Sequence, residues 1–302
     1  LAGQLKEAGL KGFIFHVDSH QNRPGWTGKT EGEINELRQR LTDMVFDAGG
    51  MFCGFNTAIV PSALEELKDI VAWVAANIHK VHLAVFIPVR VPRRDDPLEY
   101  FAGGEKVDLD SLPFIRRNSC RAMTAMELYT RILEVLPGFR FNSYLGGTLR
   151  AAVPKWLFGN TIGTPGKIYG TMGPESMEIL QNGHHFITGR YLSFLSPRLY
   201  RTAQLLFPLA LFDRDLMRSL LRRLVKGIRN PLRLCGPLYI QTLAVMQPHD
   251  ILDNGEQDLC DGCPNKTWWN GRLISECRME EHLRYGRLLT TARKRTEQEA
   301  TR

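Results

Sequence analysis

Apolar and polar positions in the first ninety residues alternate between two periods. Ala2, Leu5 and Ala8 share one helical face, Gly9 interrupts it, and Phe13, Ile14 and Phe15 form a short apolar run closing on His16, Val17 and Asp18. This predicts a helix end followed by a buried strand. Ile34, Leu37, Leu41, Met44, Val45 and Ala48 then return at helical spacing, and Gly49-Gly50 supplies the stop. A second strand is predicted from Met51 to about Phe55. Pro61-Ser62 opens another helix with Leu64, Leu67, Val71, Val74, Ala75 and Ile78 on one face, and a third strand runs from Val81 to about Val89. Strands at intervals of roughly 30 residues with helices between them make right-handed βαβ units and a parallel sheet. In such sheets chemistry gathers at the carboxyl ends of the strands, which selects Asp18-Ser19, Asn56 and the region from Arg90 to Arg94.

The regular alternation stops beyond a predicted boundary at residues 92 to 110, where Pro92, Pro97, Gly103 and Gly104 sit among charges. Thr124 with Glu127 forms a capping box for a helix to Leu136. Residues 138 to 175, rich in glycine and proline with interspersed aromatics, are expected to form loops and short elements. Ser196-Pro197 opens a further helix. From Asp213 the apolar residues Leu216, Met217, Leu220, Leu221, Leu224, Val225 and Ile228 define one helical face, and Arg214, Arg218, Arg222, Arg223, Lys226 and Arg229 the other. The leucines are expected to pack on the core with the arginines in water. Peripheral contact with an anionic membrane is the alternative.

Composition narrows the picture only a little. A chain of 302 residues, 43% hydrophobic, can bury a full core. Its net charge of +7 permits anionic substrates, nucleic acid or a membrane surface as partners without choosing among them. No apolar run reaches the roughly 18 residues of a membrane span; the longest, Leu205 to Phe212, is broken by Pro208. Leu1 is not a methionine and its flank does not read as a signal peptide, so further sequence is expected upstream. Six cysteines at 53, 120, 235, 260, 263 and 277 do not resemble a disulfide framework, which favours a reducing, cytoplasmic setting.

Three of those cysteines cluster. Cys260-Asp-Gly-Cys263-Pro is followed by Cys277, and a CxxC turn aims two thiolates at one metal. Cys235 is the first candidate for a fourth ligand of an iron-sulfur cluster, whereas His282, five positions after Cys277, would complete a Cys3His zinc site. Spacing leaves iron-sulfur and zinc open. Cys53 in an apolar strand and Cys120 in a basic loop read as idle thiols, and His184-His185 as structural. The glycines from 159 to 173 lack phosphate-loop spacing.

The stretch from Leu5 to Ser19 resembles the helix and fourth strand of radical S-adenosylmethionine (SAM) barrels, and the stretch from Asn56 to Val71 resembles the exit of the fifth strand and its helix. The resemblance covers residues 1 to about 90. It implies an α/β fold, the C-terminal half of a partial (β/α)6 TIM-like barrel with a largely helical, loop-rich extension. The implied division is a half-barrel at 1–92, the extension at 93–258 and a cysteine-rich metal-binding segment with tail at 259–302.

Asp18, Ser19 and Asn56 would lie at the mouth where SAM binds in that family, with His16 standing where many members carry serine. The Cys260, Cys263 and Cys277 segment is similar to SPASM or twitch extensions that hold an auxiliary 4Fe-4S cluster. The activity implied is reductive SAM cleavage and hydrogen abstraction from an unknown substrate, with a reductant such as flavodoxin or ferredoxin as partner. The CxxxCxxC motif that holds the catalytic cluster is absent from these 302 residues, so this chain alone is expected to be inactive. The competing class is a zinc-bound, non-enzymatic module that binds nucleic acid or protein.

Overall fold

A computed structural model describes residues 1–89, 98–108, 123–192, 197–228, 234, 236–248, 250–252, 254–260 and 266–294. Cys120, Cys235, Cys263 and the Arg90 to Arg94 region lie outside the described residues. The protein is mixed α/β. Its main sheet has seven strands: β1 (Gly12–His16), β2 (Phe52–Ile59), β3 (Leu83–Pro88), β4 (Ser143–Gly146), β5 (Pro154–Thr164), β6 (Lys167–Met172) and β7 (Tyr239–Met246). They stand in the order β1-β2-β3-β7-β5-β4, with β6 beside β5. The first four strands of that order are parallel. β6 runs against β5, so the sheet is mixed, and no barrel closes.

The βαβαβ prediction holds. Helix α1 (Ala2–Glu7) precedes β1, α2 (Glu31–Ala48) links β1 to β2, and α3 (Leu67–Ala76) links β2 to β3. α2 begins at a capping box in which Thr30 Oγ1 accepts from the Glu33 amide and Glu33 accepts from the Thr30 amide. Backbone amides and Lys29 around the exposed Glu33 carboxylate hold it down at about 2. The box expected at Thr124 and Glu127 is present and opens α4 (Ala125–Val135). Phe55, Ala84 and Leu243 from three neighbouring strands are buried on the same face as Phe15, and Phe55 meets Trp73 of α3 edge-on at 5.4 Å.

Two expectations are overturned. Residues 138 to 175 are not chiefly loops, because they supply β4, β5 and β6, followed by α5 (Pro174–Thr188). Their glycines mark close approach instead of turns: a Cβ on Gly159 would sit 2.5 Å from Phe139 Cζ, and one on Gly170 would sit 2.1 Å from Ser219 Oγ. The second concerns α6 (Arg214–Ile228), which buries Leu216, Ser219, Arg223 and Gly227 and leaves Leu221, Leu224, Val225 and Ile228 exposed. Gly170 admits Ser219 against β6, and Arg223 donates to the Leu234 and Gly236 carbonyls, so the narrow, hydrogen-bonded stripe wins the contact.

The described chain groups into two compact units, 1–88 with 124–144 and 157–246, and 89–123 with 145–156 and 247–302. Each draws on three stretches, where a linear division would fall at 92 and 258. The second unit is built from short antiparallel pairs. Thr290–Arg293 lies against Leu98–Ala102, which pairs with Glu105–Lys106, and Asp250–Ile251 pairs with Gln257–Asp258. Lys266–Trp269 turns into Arg272–Ser275 through Asn270-Gly271, both at positive φ, the two-residue turn whose twist matches a hairpin. A short helix, α7 (Met279–Tyr285), ends at Gly286 in the left-handed region.

Candidate functional site

Parallel pairing in register puts His16 opposite Asn56, Asn56 opposite Val85, and Val85 opposite Ala244. Register partners share a sheet face, so His16, the last residue of β1, stands beside Asn56, which lies inside β2, three residues before its end at Ile59 and not at the strand exit expected near Phe55. Just beyond, Asp18 is buried and turns the chain. Its Oδ1 accepts from the His20 and Gln21 amides at 3.0 and 3.1 Å, and its Oδ2 lies 3.1 Å from His16 Nε2. Burial raises the Asp18 carboxyl, but the hydrogen bond and charge of His16, with help from His20, outweigh it and hold the group below its ordinary value. Asp18 is thus an orienting anion, already engaged with protein donors. The half-exposed His16, together with Ser19 and Asn56, faces outward, and Ser19 and Asn56 make no side-chain hydrogen bond among the described residues.

A buried ionic brace holds this rim, and the sequence reading missed it. Arg38 and Glu31, both on α2 and fully buried, pair at 2.5 Å. Glu31 Oε1 accepts from the Ser19 amide at 2.7 Å, Glu66 accepts from the Glu31 amide at 2.6 Å, and Arg38 donates to the Val17 carbonyl at 3.0 Å. Thr57 donates to the same carbonyl at 3.1 Å. Burial pulls the Arg38 guanidinium below its usual value, partly offset by Glu31 and Asp18. The signal in sequence was an arginine interrupting the apolar face of α2, seven residues after a glutamate at the helix start. Arg23 also reaches the rim, donating to the His16 carbonyl at 2.6 Å, while Trp26 lies under Arg40 at 5.5 Å.

The cysteine segment is placed by a different device, within the second unit. Lys155 is completely buried, 2.5 Å from Asp250 Oδ2 and 3.1 Å from Asp258 Oδ2. Asp258 Oδ1 also accepts from the Leu149 and Arg150 amides at 2.8 and 3.3 Å. Burial raises the Asp258 carboxyl, while those amides and Lys155 outweigh it and leave it below its ordinary value. Gly147 bridges to Cys260, and the Thr148 amide donates to the Leu259 carbonyl at 2.9 Å. Gly147 is required there, since a Cβ would come within 2.3 Å of the Asp258 carboxylate. Cys260 is therefore fixed two residues from a buried carboxylate.

Cys277 is exposed in the short turn Glu276–Arg278, and His282 sits on α7. Among the described residues no group of three or more His, Cys, Asp or Glu side chains is gathered to hold a metal ion. The structure thus assembles His16, Asp18, Ser19 and Asn56; of the expected metal ligands Cys260, Cys277 and His282 are described, and Cys263 and Cys235 lie outside the described residues. Cys53 is buried and its thiol is pushed up to about 12, as an idle thiol should be.

The fold and rim define an α/β protein with a polar mouth at the carboxyl edge of a parallel sheet. No protein-family model matches the chain, and no curated protein does. No helix among the described residues is long and apolar enough to cross a membrane.

Proposed function

We propose that this chain carries the later strands of a radical SAM barrel, with SAM held at the rim formed by His16, Ser19 and Asn56. One observation carries the reading: the parallel register sets His16, at the carboxyl end of β1, beside Asn56 of β2, with Ser19 just beyond β1, near the edge where such sheets bind ligands. The donor set suits an amino acid and a ribose. Asp18 fixes His16 through Nε2, which leaves Nδ1 for the ligand, an acceptor when the imidazole is neutral and a donor to a carboxylate when it is protonated. The Asn56 amide can both donate and accept, and the Ser19 backbone is tied down by Glu31 so that its hydroxyl is presented from a rigid turn. When bound and reduced by a cluster held elsewhere, SAM would supply a 5′-deoxyadenosyl radical for hydrogen abstraction.

Cys260, Cys263 and Cys277, with Cys235, are the residues that would hold an auxiliary 4Fe-4S cluster. Cys263 and Cys235 lie outside the described residues, and no step is routed through the cluster. Anaerobic calorimetry with SAM tests the rim. Binding that weakens about tenfold in His16→Ala and Asn56→Ala supports the reading, since each loses roughly one hydrogen bond to a charged or polar group. No measurable SAM binding by the wild-type chain overturns it. Metal analysis tests the segment separately: about four irons per chain with an absorption band fit the cluster, and a colourless zinc-loaded chain replaces it with the Cys3His module.

A further inference from the structure

Helix α6 carries three stripes instead of two. Leu216, Ser219, Arg223 and Gly227 face the protein, and the fit is specific: Ser219 Oγ donates to the Thr171 carbonyl at 3.1 Å, and a Cβ on Gly227 would lie 2.3 Å from Leu234. These contacts lock the rotation of the helix about its axis. Leu221, Leu224, Val225 and Ile228 are thereby turned to the outside, with Val225 63% and Ile228 78% exposed. Arg214, Arg218, Arg222 and Lys226, spaced every fourth residue, form the third stripe alongside them. The 3-10 helix Ala203–Leu211 packs against α6 and adds exposed Leu205, Leu211 (77%) and, one residue on, Phe212 (68%). Large apolar side chains exposed in this number on two packed elements are uncommon on a protein that meets only water.

The cationic stripe continues onto the sheet. Lys167 lies beside Lys226, whose ammonium is pushed below its ordinary value first by Lys167 and by burial, then by the Arg222 charge. Arg222 donates to the Tyr169 carbonyl at 3.2 Å. Lys167 and Tyr169 in turn line a cavity of about 480 Å³ with Thr164, Gly236, Pro237 and Tyr239. Among the described residues no carboxylate pairs with Lys167, Arg222 or Lys226, and the cavity beside them is of a size that ligand sites occupy.

We propose that α6 and the Ala203–Leu211 turn dock on the surface of an anionic phospholipid bilayer, leucines and phenylalanine in the acyl boundary and the Lys167, Arg222 and Lys226 cluster on lipid phosphates. The arrangement of an apolar stripe flanked by a basic one on a helix of modest length is what an interfacial helix requires. Charge complementarity selects the occupant. Anionic lipid satisfies the cations and the leucines together, whereas a second copy of this face would set the same cationic stripe against itself.

Flotation of the full chain with vesicles tests the docking. With phosphatidylcholine mixed with phosphatidylglycerol, the wild type should float, and raising the salt concentration or using phosphatidylcholine alone should lower the bound fraction several-fold. Leu224→Asp with Ile228→Asp, and separately Lys167→Glu with Lys226→Glu, should each weaken partitioning about tenfold or more. Met126→Asp on α4, exposed but off this face, should leave it unchanged. All positions named are solvent-exposed or partly so, and circular dichroism verifies that each variant is folded. Wild-type protein that fails to prefer the anionic vesicles overturns the proposal. So does a wild-type dimer that Leu224→Asp with Ile228→Asp converts to a monomer without any vesicle binding.

Discussion

The rim at β1 and β2 and the segment around Cys260 are both held by buried charge, yet they are built in opposite ways. At the rim, one arginine meets one glutamate seven residues away on the same helix; Arg38 also donates to the Val17 and Glu31 carbonyls and to Asn35 Oδ1, and Glu31 accepts from the Ser19 amide. In the second unit, one lysine answers two aspartates, the nearer in space 95 residues along the chain. The first brace is neutral and rides on regular elements that would form without it. The second carries a surplus negative charge: Asp250 and Asp258 face each other on one short antiparallel pair, and Lys155 near the start of β5 holds both. Breaking a buried ion pair costs more than its presence contributes, because the abandoned partner keeps its desolvation cost. The two braces should therefore differ in what falls apart when each is cut.

The largest effect is expected from Lys155→Met. Two buried carboxylates lose their cation, and urea unfolding should show a loss of about 3–5 kcal/mol, with amide exchange rising first in 145–156 and 247–260. In that variant the defect should shrink on acidification, as the carboxylates take up protons. The wild type behaves oppositely: its Asp258 lies below the ordinary value, so the contribution is present above that value and is lost as pH falls through the folded one. Arg38→Met, cut at the rim, should raise exchange around 17–31 while the parallel sheet persists. Equal, chain-wide unfolding in both variants would break the contrast.

A second, smaller effect separates the units by pH. His82 in the first unit is buried beside Phe52, accepts the Cys53 amide through Nδ1 at 3.0 Å, and is pushed down to about 4 by burial. Its contribution is complete above about pH 6.5. As pH falls the unfolded chain is protonated first, so about 3 kcal/mol should be lost by about pH 4. His82→Asn, which retains an acceptor but no titration, should flatten that part of the wild-type profile; an unchanged profile removes His82 as the cause. The smallest effect lies at the exposed start of α2. The Glu33 carboxyl should titrate near 2 by NMR, and Thr30→Ala should move it upward, because the cap that holds it is gone.

Legibility followed the same divide. β1 to β3 and their helices could be read because each element buries one face and repeats its own period. β5 and β6 could not, since Gly159, Gly163 and Gly170 look like turns until the neighbouring Phe139, Lys167 carbonyl and Ser219 are seen pressing on them. The strand-end rule found Asp18 and Ser19, but it took Asn56 for a strand exit where β2 runs on to Ile59, and it said nothing of Asp18 being spent on His16 and two backbone amides. Lys155 left no trace in sequence at all, because a lysine in a strand reads as an exposed position.

The amino-acid sequence by itself determined the parallel βαβαβ core, the capping box at Thr124 and Glu127 and the polar residues that follow β1, all of which depend on neighbours along the chain. Tertiary structure alone decided which face of α6 is buried, where Lys155 finds its aspartates and how Cys260 is held. Those outcomes depend on close approach between distant segments and on the cost of burying a charge, and neither has a period that a sequence can display.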